Sequence, residues 1–319
     1  MVKDQHKNWK FFVRLTGTIL SIVLLIYLFY SVGMDKLWNS LKYLTIGRVV
    51  LVVALIFISR VATFARWHVL LQIDSIKVNW KDSLRLTFAG LFAANFLPTT
   101  IGGDVVRLAG AMRLKVSGSL AAASLIVDRL IGMAGMAIVA PLGIIPVVAD
   151  FDKVTTLIEG NTPLLSGLFL NNKLTKKIKS VLKKIFHSFS FWLSHPKYLF
   201  LALVFTFIHM LCTFLIVEVL VVGMNEAIPF WKIGGLWSLT YFITLIPISI
   251  NGLGLQELSF ANLFTLFGGL SDATGLSIAL IMRVLMLVGS APGAFFISSI
   301  LSGETYTEVS QQNPLTMEQ

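Results

Sequence analysis

The sequence has little cysteine and few charged residues. Its single cysteine, Cys212, lies within an apolar run, so neither an intrachain disulfide nor a cysteine metal site can form. Charged residues make up 13% of the 319 residues and hydrophobic residues 56%, whereas soluble domains average about 25% charged and about 45–50% apolar. So few charges cannot cover a water-exposed surface. The composition excludes an ordinary soluble enzyme and predicts an all-α polytopic membrane protein.

Acidic residues are also scarce relative to basic ones. The chain has 26 lysines and arginines against 16 acids, which gives a formal net charge of +10. In a soluble protein this balance would suggest a nucleic-acid partner. Here the basic residues lie between apolar runs, which favours contact with anionic lipid headgroups and cytoplasmic loops. We therefore expect membrane lipids as partners, and no nucleic acid.

Known catalytic and cofactor motifs are missing. The sequence contains no G-x-S-x-G, P-loop, H-E-x-x-H or paired-carboxylate pattern. His209 has no neighbouring metal-ligand residues, so it is interpreted as a core histidine. Glu218 is expected to reach the membrane interface or to meet Lys232. The sequence therefore predicts neither catalysis nor a bound cofactor or metal.

Long apolar runs predict a transmembrane domain over residues 11–301. The first run, 11–32, follows a basic segment (1–10) and is long enough to cross a 30 Å hydrocarbon core, which needs about 20 helical residues. It predicts an uncleaved helix with a cytoplasmic N-terminus. Further spans are predicted over 48–67, 117–148, 198–222 and 274–301. The polar tail, 302–319, is expected to be disordered.

Residues 149–197 form the main polar interruption and contain eight lysines. Apolar residues at helical spacing over about 172–193, with lysines opposite, predict an amphipathic helix at the membrane interface. A short amphipathic helix is also predicted over 37–44. A loop of this length obeys the positive-inside rule, so we expect it in the cytoplasm. An even number of crossings must then separate it from the N-terminus, which favours a spanning rather than a re-entrant 83–114 segment.

Two short apolar segments, 83–97 and 231–245, end in loops that contain proline, glycine and an acid. The loop residues are Pro98, Gly102, Gly103 and Asp104 after the first segment, and Pro247, Asn251, Gly252, Gly254 and Glu257 after the second. Proline breaks a helix, and broken backbone at membrane depth is tolerated only inside protein or beside a watery cavity. Interruptions at matching positions in two halves indicate the central site of a transporter.

Each acid is followed by an arginine at a similar distance. Arg129 lies 25 residues after Asp104, and Arg283 lies 26 residues after Glu257. An ionisable group within a span costs about 2.5–3.5 kcal/mol, so these side chains should face inward and pair. Asp128 and Arg129 are adjacent and point about 100° apart on a helix, so we expect them to contact different partners.

Two interpretations of these charges remain open. In the functional one, Arg107, Arg129 and Arg283 bind a phosphate, while Asp104, Asp128 and Glu257 orient them. In the structural one, Asp104–Arg129 and Glu257–Arg283 are ion pairs that lock helices together. Arg60 and Arg66 are expected to snorkel to the interface, although Arg60 lies deep enough to line a cavity.

The motifs together resemble the lysylphosphatidylglycerol synthase/flippase transmembrane family, the membrane half of the multiple peptide resistance factor. The resemblance covers about residues 10–300 and is carried by Asn95-Phe96-Leu97-Pro98, Gly102-Gly103-Asp104, Arg107, Asp128-Arg129, Gly132, Pro247, Asn251-Gly252-Leu253-Gly254 and Gln256-Glu257. It implies broken helices and movement of a lipid between leaflets. Members that synthesise the lipid carry a soluble aminoacyl-transfer domain, whereas this chain stops at Gln319, so we expect no synthesis.

We therefore predict a lipid flippase of the cell membrane that moves an anionic or aminoacylated lipid through a central polar cavity. The alternatives are a secondary transporter of a water-soluble anion, a membrane-embedded lipid-modifying enzyme and a non-catalytic scaffold. The expected partners are anionic phospholipid or a lipid-linked substrate, with a homodimer as a further possibility.

Overall fold

The structure is a computed structural model that describes residues 45–73, 78–95, 102–149, 195–245 and 254–301. These residues form nine α-helices: α1 (Ile46–Leu71), α2 (Trp80–Ala94), α3 (Gly102–Arg113), α4 (Gly118–Ala149), α5 (Pro196–Gly223), α6 (Phe230–Thr244), α7 (Leu255–Leu263), α8 (Asp272–Ser290) and α9 (Gly293–Leu301). A π-helical turn, Phe264–Gly268, continues α7.

Several predictions lie outside the described residues. They are the helix over 11–32, the amphipathic segments 37–44 and 172–193, the tail 302–319, and the loop residues Pro98, Pro247, Asn251 and Gly252.

Four of the helices, α1, α4, α5 and α8, are long and apolar enough to cross a membrane. Their most apolar windows have a mean hydropathy of 1.8 to 2.5, and within the described ranges no strand occurs. The prediction of an all-α polytopic membrane protein is confirmed, as are the spans predicted over 48–67, 117–148 and 198–222.

The predicted single span over 274–301 is wrong, because it is divided into α8 and α9. The break lies at Ala291 and Pro292, where proline has no N–H to donate and clashes with the preceding turn. Gly293 follows, and a Cβ there would lie 2.0 Å from the carbonyl oxygen of Phe88 in α2. The glycine therefore lets α9 pack directly against the backbone of α2.

The segment 83–114, predicted to span the membrane, is divided into the two helices α2 and α3. Residues early in α2 face residues late in α3: a Cβ added at Gly110 would lie 2.0 Å from Leu86, and one added at Gly103 would lie 2.3 Å from the Gly90 carbonyl. The two helices are thus antiparallel. At 15 residues, α2 extends only about 22 Å, which is shorter than a hydrocarbon core of about 30 Å, so α2 is a half-helix.

The second interrupted segment forms an equivalent hairpin from α6 and α7. Trp237 in α6 packs edge-to-face on Phe260 in α7, with ring centroids 5.8 Å apart. A Cβ added at Gly268 would lie 2.9 Å from Ile228. The end of the π-helical turn after α7 therefore lies beside the residues that precede α6. α6 has the same 15-residue length as α2.

The two halves have opposite orientations in the bundle. α1 and α5 are antiparallel, because Ser59 contacts His209 whereas Arg66, further along α1, contacts Thr206, earlier in α5. α4 is antiparallel to α6, since Gly143 packs on Gly235 while Met136 contacts Ser238. α6, α7 and α8 alternate in direction, so α8 runs opposite to α4. The helices therefore form an inverted repeat, the arrangement of many transporters.

The long helices α4 and α5, which lie on either side of residues 150–194 in the sequence, point in the same direction. Gly135 of α4 packs on Thr206 of α5, and Val127 of α4 shares a hydrophobic cluster with Ala202 of α5, so α4 and α5 are parallel. The end of α4 and the start of α5 consequently lie at opposite ends of the bundle. The expectation that residues 149–197 and the N-terminus share the cytoplasmic side stays a prediction, because residues 1–44 and 150–194 lie outside the described ranges.

Outside the membrane-spanning helices, Glu226 joins the α5–α6 connection to the start of α8. Its carboxylate accepts hydrogen bonds from the Ser271 hydroxyl (2.7 Å) and the Ser271 backbone N–H (3.1 Å). Partial burial disfavours the ionised form, but the hydrogen bonds from Ser271 and Thr274 outweigh it and lower the pKa of Glu226. The contact therefore holds the N-terminus of α8 to the loop.

Candidate functional site

The charged residues of the first half meet around Asp128 of α4. Its Oδ1 accepts a hydrogen bond from Arg66 Nε (2.6 Å) and its Oδ2 accepts one from Arg107 Nη1 (3.1 Å). The Asp128 side chain is only 3% exposed. A carboxylate buried to this degree needs charge partners, and Asp128 takes one from α1 and one from α3. The expectation that Arg66 snorkels to the interface is therefore wrong.

Asp104, in the first turn of α3, extends this cluster. Its Oδ1 lies 3.3 Å from Arg107 Nη1, and its Oδ2 accepts a hydrogen bond from Arg129 Nε. Asp128 and Arg129 thus contact different partners, which confirms the prediction from their spacing. Among the described residues, three arginines share two carboxylates in this cluster (the α1–α3–α4 charge cluster).

Trp67 completes the α1–α3–α4 charge cluster, and sequence reasoning missed it. The guanidinium carbon of Arg107 lies 4.1 Å from the centroid of the Trp67 ring, and the Trp67 indole N–H donates to Ser124 Oγ (3.2 Å). Buried Nε and Nη2 of Arg107 have no hydrogen-bond partner among the described residues; instead, the cation lies on the aromatic face. The adjacent Arg66-Trp67 pair was interpreted as the end of a span, although both side chains face inward.

Arginine side chains in this region lie over glycines of neighbouring helices. A Cβ added at Gly90 of α2 would lie 2.6 Å from Arg107 Cγ, and one added at Gly132 of α4 would lie 3.2 Å from Arg66 Nη1. The glycines leave the volume that the guanidinium stems occupy. Gly132 belongs to the motif that carried the family resemblance, and this contact is a physical reason for glycine there.

In the second half, Glu257 of α7 pairs with Arg283 of α8. Arg283 Nε donates to Glu257 Oε1, and Glu257 Oε2 accepts a hydrogen bond from the Gly254 backbone N–H (2.7 Å). Gly254 has φ +80°, a conformation that favours glycine. The acid thus holds the arginine of the next long helix and the start of its own helix together. Asp104 is in the matching position of α3.

The two proposed ion pairs, Asp104–Arg129 and Glu257–Arg283, are both present. Of the arginines predicted to bind phosphate, Arg107 and Arg283 are buried, whereas the Arg129 side chain is 35% exposed. The role of all three as phosphate ligands stays a prediction. Gly102 and Gly103 are buried in the first turn of α3, and Gly103 permits the close contact with α2 described above.

A cavity of about 180 Å³ lies between the two halves, lined by polar side chains and by the apolar residues Ile56, Met136, Met282 and Met286. Its lining includes none of Arg107, Arg129 and Arg283; its basic residue is Arg60 of α1. The expectation that Arg60 snorkels is wrong, and the option that it lines a cavity is confirmed. Further lining residues are Ser59, His209, Thr213, Trp237, Thr240, Tyr241, Thr244 and Gln256. Tyr241 also interacts electrostatically with Arg66 and Arg129, so the cavity adjoins the α1–α3–α4 charge cluster.

His209 and Glu218 have different settings in α5. His209 Nδ1 hydrogen-bonds with Ser59 Oγ (2.6 Å), and the described residues contain no metal-binding group of histidines, cysteines and acids. Glu218 does not meet Lys232 within the part of the chain that the structure describes, where its Oε2 is buried without a hydrogen-bond partner. Lys232 instead donates to the Phe267 carbonyl oxygen (3.5 Å).

An apolar groove of about 600 Å³ follows the outer face of α4, α5 and α6. Its walls are formed by aliphatic and aromatic side chains, among them Val139, Phe207, Leu211, Phe214 and Trp231. Val139 and Phe214 lie close in sequence to Met136 and Thr213, which line the polar cavity. The groove and the cavity therefore lie on adjacent faces of the same helices.

The fold and its buried charges define a polytopic all-α membrane protein built from two inverted halves, each with a half-helix hairpin and an acid–arginine pair. The family model described as the lysylphosphatidylglycerol synthase TM region matches residues 14–293. The chain belongs to this family of membrane proteins, which is related to lipid modification and lipid flipping. No curated protein matches the chain.

Proposed function

We propose that this protein moves a phosphate-bearing lipid between the two leaflets of the cell membrane. One observation carries the proposal: two antiparallel half-helix pairs of opposite orientation each begin their second half-helix with an acid that holds an arginine of the following long helix. Half-helix ends near the middle of an inverted repeat are where transporters bind their substrates. Membership of the family favours a lipid as the substrate.

Arg129 is the proposed phosphate ligand that a headgroup would meet first. Its side chain is the most exposed of the three predicted arginines, and a guanidinium forms two parallel hydrogen bonds to a phosphate. Asp104 would fix its orientation through the observed ion pair. Arg107 and Arg283 would contribute positive potential and join the helices on either side. In this mechanism one half rocks against the other, and the headgroup passes between the two acid–arginine pairs.

The acyl chains would stay in the bilayer along the apolar groove between α4, α5 and α6. Its walls are almost entirely apolar, and its volume of about 600 Å³ is within the range of about 300–1,000 Å³ for sites that hold drug-sized ligands. The polar cavity is smaller and suits a headgroup only. This division separates the two chemical parts of a phospholipid.

The test is leaflet exchange in liposomes that contain the purified protein. Fluorescent phosphatidylglycerol in the inner leaflet becomes accessible to a membrane-impermeant quencher only when it crosses. We expect the wild type to accelerate this exchange and Arg129→Gln to slow it at least tenfold. Arg113→Gln removes an exposed arginine at the end of α3 and should exchange like the wild type. Wild-type vesicles that exchange no faster than empty ones would refute the proposal.

A secondary transporter of a small water-soluble anion remains a second candidate, because a polar cavity of about 180 Å³ holds such an ion without any acyl chain. Uptake of radiolabelled phosphate or sulfate into the same liposomes, without lipid exchange, would favour it. We propose no catalytic reaction for the chain. A covalently altered lipid product that depends on Asp104 or Glu257 would indicate an enzyme instead.

We further propose that the N-terminus lies in the cytoplasm, on the basis of Lys3, Lys7 and Lys10 and the positive-inside rule. A cysteine introduced before residue 10 should react with a membrane-impermeant thiol reagent only after the cells are permeabilised. Reaction in intact cells would reverse the assignment.

A further inference from the structure

Arg60 of α1 is set apart from the other arginines of the core. Arg66, Arg107, Arg129 and Arg283 each contact a carboxylate, whereas Arg60 forms no ion pair with any residue that the structure describes. Its Nε is buried and has no hydrogen-bond partner in the described ranges of the chain. A buried cation without an anion is costly, so this position calls for an anion from outside the chain.

The packing holds Arg60 against the cavity. A Cβ added at Gly289 of α8 would lie 3.1 Å from Arg60 Nε and 3.3 Å from Arg60 Cγ, so the side chain lies directly over this glycine. Ser59, the preceding residue, hydrogen-bonds with His209 of α5. The backbone of Arg60 is thus fixed between helices of both halves, and its guanidinium lines the cavity.

Helices α6 and α7 add hydrogen-bond donors to the lining of the cavity. Tyr241 presents a hydroxyl, and Gln256 presents an amide whose contact with Met286 Sδ is long, at 3.7 Å. Thr213 and Thr240 donate their protons to carbonyl oxygens of their own helices, so they contribute little to binding an anion. The donors of the lining therefore come from three helices: Arg60 from α1, Tyr241 from α6 and Gln256 from α7.

The size and charge of the cavity limit the ligand. Its volume of about 180 Å³ is below the range of about 300–1,000 Å³ for drug-sized ligands, which suits one tetrahedral anion with a few waters. Within the described part of the chain no carboxylate lines the cavity, and Asp128 nearby is already shared by two arginines. One positive charge without a partner matches one negative charge on the ligand.

We propose that this cavity is a binding site for a phosphate group, with Arg60 as its charged ligand and Tyr241 and Gln256 as donors. The inference rests on the proposed function in so far as the phosphate belongs to a lipid headgroup. It assigns the central binding step to a residue outside both acid–arginine pairs.

The experiment measures binding to the full chain in nanodiscs of zwitterionic phosphatidylcholine. One arm titrates inorganic phosphate by calorimetry, and the other measures binding of radiolabelled short-chain phosphatidylglycerol. We expect Arg60→Gln to weaken binding at least tenfold, because a hydrogen bond to a charged group contributes about 1.5–3 kcal/mol. Arg60→Lys should retain part of the affinity, and Arg113→Gln, an exposed arginine, all of it.

Tyr241→Phe keeps the cavity shape and removes one donor, so a smaller loss is expected even if Arg60→Gln folds poorly. Arg60-dependent binding of both probes supports the proposal, whereas Arg60-dependent binding of inorganic phosphate alone overturns the lipid headgroup as the source. Unchanged binding in both Arg60→Gln and Tyr241→Phe overturns the site.

If lipid exchange is absent in the wild type while Arg60-dependent phosphate binding persists, the proposed function fails and the site stands. If exchange is present and both variants bind normally, the site fails and the function stands.

Discussion

Replacing Asp128 with asparagine tests whether the α1–α3–α4 charge cluster holds the first half together. Asparagine has the same size and keeps one oxygen acceptor, so the substitution removes a charge without opening a cavity. Arg107 would still lie 3.3 Å from Asp104. Arg66 would keep its 3.4 Å contact with the Thr206 hydroxyl and could still donate to the amide oxygen, but its buried cation would lose its carboxylate.

The expected loss of stability follows from that geometry. The Arg66 and Asp128 side chains are 11% and 3% exposed. Removing one member of a buried ion pair costs about 3–5 kcal/mol, because the other charge stays buried without a partner. We expect this loss for Asp128→Asn. The double variant Asp128→Asn with Arg66→Gln should recover part of it, since no lone charge then remains at that position.

Reversible unfolding in mixed micelles with increasing dodecyl sulfate, followed by circular dichroism, measures these free energies of unfolding. The matched control is Asp82→Asn in α2. Asp82 lies 3.8 Å from Arg85, whose side chain is 46% exposed, and exposed pairs contribute about 0–1 kcal/mol. If Asp128→Asn destabilises the protein no more than Asp82→Asn does, or if the double variant is less stable than the single one, the assigned role of the charge cluster is wrong.

Three further predictions concern packing and pH. Gly90→Ala should destabilise the α2–α3 hairpin by about 1–3 kcal/mol in the same unfolding assay, because its Cβ would lie 2.6 Å from Arg107 Cγ; an unchanged midpoint would contradict this. Trp67→Leu should cost about 2 kcal/mol through the lost cation–π contact with Arg107, and a variant as stable as the wild type would refute that assignment. The lowered pKa of Glu226 predicts a contribution to stability that is present above the ordinary pKa of this side chain and is lost as the pH falls through the lower folded-state pKa. Glu226→Gln should flatten this acid limb, the fall in the free energy of unfolding at low pH. A variant with the same pH profile as the wild type would show that Ser271 does not stabilise the carboxylate.

Matched controls are available for the first and last of these. Gly47→Ala introduces a methyl group where nothing lies within 4 Å, so it should not destabilise the protein. Asp272→Asn removes an acid from the first turn of α8 without touching the Glu226–Ser271 contact, and the acid limb that Glu226 produces should persist.

Some features of the site were predictable from local sequence alone. The acid and arginine spacings indicated Asp104–Arg129 and Glu257–Arg283 as possible ion pairs, because two charges inside an apolar domain lower their burial cost by meeting. The 100° rotation per helical residue separated the partners of Asp128 and Arg129. Both inferences needed only helix geometry and the low polarity of the surroundings.

Other features depended on contacts between helices distant in sequence. Arg60 and Arg66 are in the same helix, and sequence periodicity does not show that one meets Asp128 while the other faces a cavity. The predicted span 48–67 ends at Trp67, yet this side chain packs on a guanidinium from α3. Which cation pairs with which acid is decided by the arrangement of neighbouring helices.

The sequence by itself determined the helical membrane class, the positions of the three long helices α1, α4 and α5, and the two short interrupted segments. These properties follow from apolar run length and from the backbone chemistry of proline and glycine. Only the tertiary structure decided that the predicted last span is divided into α8 and α9, that α2 and α3 are antiparallel, that the two halves are inverted, and that Arg60 lines the central cavity. The physical reason is that hairpin formation depends on glycines of one half-helix meeting side chains and carbonyls of the other, and helical periodicity within one segment does not specify that contact.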